Sequence, residues 1–231
     1  MSNAKEYIAQ IGNEGKKGGA KRRPLQGSKI PSRYNIEKAI ESCESMRDKA
    51  LIVVIYLTAG RVSEVLDLRV DQIKVEERLS KKFIVIYDML TEKTFKKKHT
   101  KTLPDGTKEV KEMNQGKQAP RRIIMIRIDR EPLCQLFLNY INLVKDNEFL
   151  FQSTITKYGI KPIKRQRAYQ IIQRTGLWCH LIRHGRLMDL VREYGMTTWE
   201  LKDYVGWTNI ATADEYIKSS GEALFKRMAE A

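Results

Sequence analysis

The sequence predicts a mainly α-helical domain of the α+β class with one small antiparallel β-sheet. Apolar residues recur at helical spacing through most of the chain, and this pattern favours helices. Two runs rich in β-branched residues, 83–87 and 122–126, interrupt the pattern and predict strands. A polar stretch with the turn sequence Pro104-Asp105-Gly106 separates these runs, so we expect two antiparallel strands joined by a long basic loop.

The beginning of the chain predicts a flexible basic arm over residues 1–31. Residues 12–31 contain five glycines and two prolines among six lysines and arginines, a composition typical of flexible segments. A chain of 231 residues can bury one good core. We therefore expect a single folded domain over residues 32–231.

Three helices are predicted at the start of this domain. An apolar stripe at helical spacing runs from Ile36 to Met46 and predicts the first helix. The apolar run 51–57 predicts a buried helix that ends at Gly60, and residues 62–68 predict a short helix beyond that turn. Arg61 therefore lies at a helix junction, where its side chain can be held firmly and still reach outward.

The second half of the chain is predicted to be helical. Three segments have helical patterns, the second with a proline suited to a first turn: 132–144, 162–174 and 180–194. Thr197 and Glu200 form a capping-box pattern that predicts a helix ending near Val205. Ser219 and Glu222 repeat the pattern and predict a C-terminal helix.

The distribution of charge favours a polyanionic partner. The chain has a formal net charge of +15 and an isoelectric point near 9.7. Three stretches hold the excess, each with a net charge of +6: residues 1–34, 91–122 and 157–174. Such concentrated charge suits a surface that replaces counterions on phosphates, although runs of lysine are also common as solvated surface.

Cysteine usage and hydropathy predict an intracellular protein of the cytoplasm, and the polyanionic partner favoured by its charge predicts an association with the nucleoid. Cys43, Cys134 and Cys179 are odd in number and lack metal-type spacing, which indicates reduced thiols. No apolar stretch reaches transmembrane length, and the N-terminus lacks a secretory apolar segment. We expect no membrane partner.

Five residues in two segments form a group suited to attack on a phosphodiester: Arg61, His180, Arg183, Trp207 and Tyr216. Transesterification at phosphorus needs a nucleophile, positive charge beside the nonbridging oxygens, and a proton for the leaving 5′-oxygen. The planar fork of arginine binds phosphate oxygens and stays charged. The phenol of tyrosine can attack once a base and a positive environment assist it.

The order and spacing of these residues resemble the catalytic domain of the tyrosine recombinases, the family of phage integrases and chromosome-dimer resolvases. The segment Ala59-Gly60-Arg61-Val62-Ser63-Glu64 is close to the family's Thr-Gly-Leu-Arg-Ile-Ser-Glu. His180 and Arg183 match its His-x-x-Arg signature, and Tyr216 follows Trp207 by nine positions. The resemblance spans residues 33–231 and is strongest over 180–216.

The resemblance implies a site-specific recombinase or integrase that cleaves and rejoins DNA through a covalent 3′-phosphotyrosyl intermediate. It implies that Tyr216 is the nucleophile, that Arg61 and Arg183 bind the phosphate, and that His180 orients the nucleophile or exchanges a proton with it. Trp207 occupies the place where family members carry His or Trp. No metal or nucleotide cofactor is implied, because the covalent link retains the energy of the phosphodiester.

Several of these residues have structural alternatives. His180 could be a half-buried histidine satisfied by the backbone, and Trp207 a core aromatic residue. Glu64 is expected to support the site or simply to pair with Arg61. His184 is expected to pack or hydrogen-bond behind the site. His180 and His184 are spaced like two metal ligands, but no acidic residue follows the first and no third ligand is evident, so no metal is expected.

The resemblance also implies a catalytic lysine just after a strand, which acts as general acid for the leaving oxygen. Lys93, followed by Thr94, comes after the strand predicted around 83–89 and is the predicted residue. Lys101 and Lys117 remain alternatives, because this connection is longer than the usual hairpin of the family.

Double-stranded DNA is the expected partner. Four basic residues at the start of helix 162–174 are predicted to contact bases or phosphates in a groove: Lys161, Lys164, Arg165 and Arg167. Family members generally carry an N-terminal helical domain that clamps the duplex. Here about thirty basic, glycine-rich residues precede the predicted catalytic domain, so we expect either a fragment or a natural minimal version. The resemblance further implies self-association as a tetramer on DNA through the C-terminal helix.

Two other functions share the same features. One is a non-catalytic DNA-binding protein that retains the recombinase fold, and the other is an activity like that of type IB topoisomerases, which need no target sequence. A role in RNA binding has little support, because the sequence lacks an aromatic-rich sheet motif of the kind that stacks single-stranded bases.

Overall fold

The computed structural model describes residues 30–91, 97–102, 108–113, 121–154 and 159–221. The first helices are α1 (Arg33–Glu41), α2 (Met46–Thr58) and α3 (Val62–Leu66). Five strands follow: β1 (Ile73–Arg78), β2 (Lys81–Leu90), β3 (Lys97–Thr102), β4 (Lys108–Met113) and β5 (Arg121–Arg127). The last helices are α4 (Leu133–Leu143), α5 (Arg165–Arg174), α6 (Cys179–Arg192), α7 (Thr198–Val205) and α8 (Ala211–Ser220). The predicted fold class, mainly helical with a small antiparallel sheet, is confirmed.

Helix α2 forms the centre of the core. All of its residues from 50 to 58 are buried, as expected for a helix that is apolar on every side. Helices α1, α4, α5 and α6 pack around it. Ser45 caps its N-terminus by accepting a hydrogen bond from the Asp48 N–H, and Ala59 ends it in the left-handed conformation, with φ of 47°.

The turn after α2 requires glycine. A Cβ atom at Gly60 would lie only 2.7 Å from both the Met89 methyl and the Thr58 hydroxyl. This close packing brings the start of α3 against strand β2. It therefore fixes Arg61, the residue that precedes α3, at the junction predicted from the sequence.

The main sheet has the strand order β1-β2-β5 and is antiparallel throughout. Leu79 and Ser80 form the two-residue turn between β1 and β2, both with positive φ, as tight hairpins require. A β-bulge between Ile86 and Met89 bends β2 toward the end of β5. The isoleucines on the inner face of the sheet are buried against the helices.

Strand β1 and the ribbon of β3 and β4 were not predicted. Strands β3 and β4 pair with each other from Lys97 opposite Met113 to Thr102 opposite Lys108, so part of the expected loop forms a second two-stranded sheet. The turn predicted at Pro104-Asp105-Gly106 falls between these strands and lies outside the described residues. The predicted arm over 1–31 also lies almost wholly outside them.

Three helix boundaries differ from the prediction. The stripe from Ile36 to Met46 is broken, because α1 ends at Glu41 and the Ser45 cap starts α2. Helix α5 begins at Arg165 rather than at Pro162, because Pro162 pairs with Gln152 in an isolated β-bridge. The capping box predicted at Ser219 is wrong in position, since Ser219 lies in the last turn of α8 and Gly221 caps that helix. The box of Thr197 and Glu200 is confirmed.

The cysteines and the helix lengths add two observations. Cys43, Cys134 and Cys179 are buried and form no disulfide. Within the part of the chain that the structure describes, no helix is both long and apolar enough to cross a membrane.

Candidate active site

Arg61 and Glu64 begin the site at the N-terminus of α3. The Arg61 backbone N–H donates to Oε2 of Glu64 over 2.8 Å, and Nη1 of Arg61 donates to Oε1 over 2.5 Å. The same Nη1 donates to the Thr91 carbonyl oxygen at the end of β2, over 2.7 Å. The guanidinium is therefore fixed by two elements, while 27% of the side chain remains exposed.

Glu64 lies among three arginines. Its carboxylate is buried, and its Oε2 atom lies 3.6 Å from Nη2 of Arg122 and 3.7 Å from Nη1 of Arg183. We call Arg61, Arg122 and Arg183, grouped around Glu64, the arginine cluster. One carboxylate balances only one of three cations, so the cluster keeps a positive charge that a phosphate can compensate.

Arg183 is the deepest of the predicted phosphate-binding residues. It projects from α6, is almost fully buried, and donates a 2.5 Å hydrogen bond to the carbonyl oxygen of Ala59. Burial lowers the pKa of Arg183 to about 10; Glu64 opposes this shift, and the charges of Arg61 and Arg122 add to it. The residue is still a cation near neutral pH, and its guanidinium lies 5.7 Å from the centre of the Trp207 ring.

Tyr216 is held between two other rings. Its ring stacks on His184 with centroids 5.6 Å apart and on Trp207 at the same separation. Its hydroxyl is in hydrogen-bond contact with Nδ1 of His184, and only 2% of the residue is exposed. Burial raises the pKa of Tyr216 well above its usual value, whereas the positive charge of Arg183 opposes the shift.

His184 therefore contacts the hydroxyl of the predicted nucleophile. Burial lowers the pKa of His184 to about 4, and the charges of His180 and Arg183 act in the same direction. The imidazole is neutral at physiological pH, so its Nδ1 atom can accept the phenol proton when Nε2 carries the ring hydrogen. The sequence had placed His184 behind the site.

His180 lies one turn earlier on α6, toward the surface. It is exposed, and its ring centre is 6.5 Å from that of His184. His180 lines a small cavity together with Arg61 and Arg165. The structure thus brings His180 close to the predicted phosphate-binding residues, and it brings His184 to Tyr216.

Trp207 owes its position to the turn that ends α7. Gly206 caps that helix in the left-handed conformation, with φ of 71°, and a Cβ atom there would lie 2.6 Å from Cγ2 of Thr91. The backbone N–H of Trp207 donates to the carbonyl oxygen of Lys202 over 3.0 Å. Trp207 is half-buried between Tyr216 and Arg183, so it packs as a core aromatic residue within the site itself.

Arg122 is the member of the cluster that the sequence did not reveal as a candidate. The buried positions of β5 alternate, and Arg122 falls in phase with Ile124 and Ile126. That alternation was a usable signal, because a charged residue on the buried face of a strand needs a partner. The partner, Glu64, was known only as a neighbour of Arg61.

The predicted lysines remain without a structural description of their side chains. Lys93 and Lys117 lie outside the described residues, and Lys101 lies in β3, of which only the backbone is described. All three fall in the connection between β2 and β5. That connection leaves β2 at Thr91, whose carbonyl binds Arg61.

The predicted DNA-binding residues lie at the start of α5, beside the site. Lys161, Lys164 and Arg165 are exposed, and Arg167 is half-buried. The Arg165 guanidinium donates to the Tyr169 hydroxyl, with Nη2 at 2.8 Å, and lies over the ring of that tyrosine. Arg165 is thereby held at the cavity that Arg61 and His180 also line.

The described part of the chain contains no set of side chains arranged like metal ligands. Among the residues that the structure covers, no three side chains of His, Cys, Asp or Glu come together in a group that could hold an ion. Apart from the Glu64 carboxylate, the site consists of cationic, aromatic and imidazole groups, a composition that suits a phosphate.

A match to a family model assigns the chain to a family. The family model described as "Phage integrase family" matches residues 29–222, and the chain belongs to that family. The comparison with curated proteins gave no match.

Solved structures show the same fold at low sequence identity. The XerA recombinase is 17% identical, with a TM-score of 0.59, over 91% of this chain and 67% of that one. The XerH site-specific recombinase bound to palindromic difH substrate is 17% identical, with a TM-score of 0.55, over 92% of this chain. The Tn1549 transposon integrase in complex with transposon right end DNA is 17% identical, with a TM-score of 0.52, over 95% of this chain and 70% of that one. The present chain spans 57% of the XerH chain.

Proposed function

We propose that the protein is a site-specific DNA recombinase that cleaves and rejoins strands through a covalent link to Tyr216. One observation carries the proposal. The hydroxyl of Tyr216 contacts a neutral histidine, and its ring packs on Trp207, which lies under the Arg183 guanidinium of the arginine cluster. A nucleophile, a base and an unbalanced positive charge are thus within one continuous set of contacts.

The proposed reaction is a transesterification at one phosphodiester. Oη of Tyr216 attacks phosphorus as its proton passes to Nδ1 of His184, and the bond from phosphorus to the 5′-oxygen breaks. The product is a 3′-phosphotyrosyl link and a free 5′-hydroxyl, whose proton comes from a general acid. Attack by a 5′-hydroxyl on the link reverses these steps and reseals the strand.

The arginines are proposed to bind the nonbridging oxygens. Arg61 is partly exposed and fixed by Glu64 and Thr91, so its remaining N–H groups can meet a phosphate without reorganisation. Arg183 lies deeper and closer to Tyr216, where its charge also favours the phenolate. His180, exposed at the shared cavity, is proposed to donate to the same phosphate.

Access to Tyr216 requires a movement. Because the hydroxyl faces His184 and the residue is buried, a phosphate cannot reach it in the arrangement described. Helix α8 packs on α6 and α7 and ends at Gly221. We propose that DNA binding shifts α8, so that a phosphate can approach the Tyr216 hydroxyl while the hydroxyl keeps its hydrogen bond to His184.

Double-stranded DNA is proposed as the partner, bound in part by the exposed basic residues at the start of α5. Two structural neighbours were solved as complexes with DNA, XerH with difH and the Tn1549 integrase with transposon right end DNA. The catalytic lysine stays a prediction for Lys93, with Lys101 and Lys117 as alternatives. A tetramer formed through the C-terminal helix also stays a prediction, because residues 222–231 lie outside the described part.

A capture experiment tests the proposal on DNA of many sequences at once. The wild-type protein and a Tyr216→Phe variant are incubated with a pool of randomly nicked duplexes of randomised sequence. Protein that remains on DNA after denaturation is then collected and its DNA is sequenced. We expect the wild type alone to give adducts, and these to share a sequence.

The other outcomes separate the alternatives. Binding without adducts would identify a non-catalytic DNA-binding protein. Adducts without a shared sequence, together with relaxation of any supercoiled plasmid, would identify a topoisomerase. Adducts formed equally by the Tyr216→Phe variant would contradict the assignment of the nucleophile.

A further inference from the structure

Arg122 joins four parts of the fold around the arginine cluster. Its Nη1 atom donates to the carbonyl oxygen of Tyr204 in α7 over 2.5 Å, and Nη2 donates to that of Thr58 at the end of α2 over 3.3 Å. Nη2 also lies 3.6 Å from Oε2 of Glu64 in α3 and 3.8 Å from the sulfur of Met89 in β2. The side chain is 4% exposed, and both Nη1 and Nη2 donate to backbone carbonyl oxygens, so the contacts of this guanidinium lie within the fold.

Arg122 and Arg183 flank the same oxygen atom. Oε2 of Glu64 already accepts the Arg61 N–H over 2.8 Å, and the two guanidinium groups approach it to 3.6 and 3.7 Å. Neither forms a short hydrogen bond to it. In the absence of Arg122, only Arg183 of these two guanidinium groups would remain beside Oε2, and arginine readily forms close pairs with carboxylates.

We propose that Arg122 is a positioning residue. Its guanidinium competes with that of Arg183 for the Glu64 carboxylate and thereby keeps Arg183 available for the substrate phosphate. The two carbonyl acceptors hold the Arg122 guanidinium, so it can neither follow Glu64 nor turn toward the surface. Loss of this guanidinium allows Glu64 to close on Arg183 and lowers the positive charge of the cluster. The inference rests on the proposed function, because it assigns Arg183 to the phosphate.

The first test compares two substrates in single-turnover cleavage. The DNA site recovered with the wild type is prepared with an ordinary scissile phosphate and with a methylphosphonate, which lacks the negative charge. We expect Arg122→Met to slow cleavage of the phosphate by roughly 10- to 100-fold, the usual cost of a displaced active-site group. We expect cleavage of the neutral methylphosphonate to stay near the wild-type rate, and DNA binding to change little.

Two further variants separate positioning from folding. Arg122→Lys keeps a cation near Oε2 and should lose less rate than Arg122→Met. Arg122→Met combined with Glu64→Gln restores the original net charge of the cluster, so it should cleave the phosphate faster than Arg122→Met alone. Arg33→Met removes a guanidinium from the buried carboxylate of Glu131, away from the site, and serves as the matched control with an unchanged rate.

The outcomes are distinct. Equal slowing of both substrates by Arg122→Met, or additive losses in the double variant, would show a purely structural role and overturn the inference. A variant with the wild-type rate on the phosphate would overturn it as well. If the wild type itself formed no adduct, the proposed function would fail instead, which the capture experiment shows before any Arg122 variant is made.

Discussion

Nδ1 of His184 is in hydrogen-bond contact with the hydroxyl of Tyr216. The contact joins a phenol that burial makes harder to ionise with an imidazole that burial keeps neutral. A neutral imidazole is the form that can accept a proton. The pair is therefore suited to proton transfer from the proposed nucleophile, and this arrangement suggests a direct test of His184.

We predict that His184→Asn slows strand cleavage by about 10²- to 10⁴-fold, the usual contribution of a general base. Asparagine can keep a hydrogen bond to the Tyr216 hydroxyl but cannot take up its proton. The rate of the variant should rise with pH, because solvent must then ionise a phenol whose pKa is raised. His180→Asn is the comparison variant, and single-turnover rates across neutral to alkaline pH are the measurement. A flat pH profile for His184→Asn would argue against the role of base.

The pKa of His184 also predicts how stability depends on pH. The folded state holds this pKa at about 4, below the ordinary value of 6.5, so the unfolded chain binds more protons between these values. The free energy of unfolding should therefore fall as the pH drops from 6.5 toward 4, and this residue should account for up to about 3 kcal/mol of the loss. Above pH 6.5 the ionisation of His184 should no longer change the free energy of unfolding. Urea unfolding of wild type and His184→Asn at several pH values checks this. An equal loss in both proteins would assign the effect to other groups.

Glu64 should be a costly charge to remove. Its carboxylate is buried among three arginines, so Glu64→Gln leaves three cations without compensation. Breaking a buried ion pair on one side typically costs about 3–5 kcal/mol. Glu37→Gln removes an exposed partner of Arg33 and should cost under about 1 kcal/mol. The free energies of unfolding in urea provide the comparison, and similar losses in both variants would contradict the account of the cluster.

The turn before Trp207 predicts that alanine at Gly206 destabilises the fold more than alanine at Gly195. Gly206 and Gly195 both have positive φ, of 71° and 65°, so alanine is strained at either position. Of these two glycines, only Gly206 would place the added Cβ against another atom, at 2.6 Å from Cγ2 of Thr91. We expect Gly195→Ala to cost about 1 kcal/mol and Gly206→Ala clearly more, in thermal or urea unfolding. Equal costs would show that the contact with Thr91 relaxes without penalty.

Local patterns predicted much of the helical framework, because their causes are local. The box of Thr197 and Glu200 starts α7 in the predicted place, since each side chain satisfies a backbone N–H within the same turn. The weak alternation of β1 gave too little signal, and its pairing with β2 depends on a turn of two residues, Leu79 and Ser80, that do not usually adopt positive φ.

The sequence predicted most of the residues that form the candidate site, but it did not predict which of them contact one another. The sequence placed His180 and His184 on one face of a helix, but the packing of α8 decides which of them contacts Tyr216, and that packing is non-local. The same holds for Arg122, which reaches Glu64 because β5 packs beside α2 and α7 and next to β2, the strand that α3 contacts. Spacing along the chain carries no information about such approaches.

The bond between protein and DNA tests the central claim most directly. Adducts of the wild type, formed on the recovered site, are digested with protease and nuclease, and the modified peptide is sequenced by mass spectrometry. The account predicts a nucleotide joined through its 3′-phosphate to Tyr216 and a free 5′-hydroxyl on the other DNA end. A nucleotide found on any other residue, or joined through a 5′-phosphate, would contradict it.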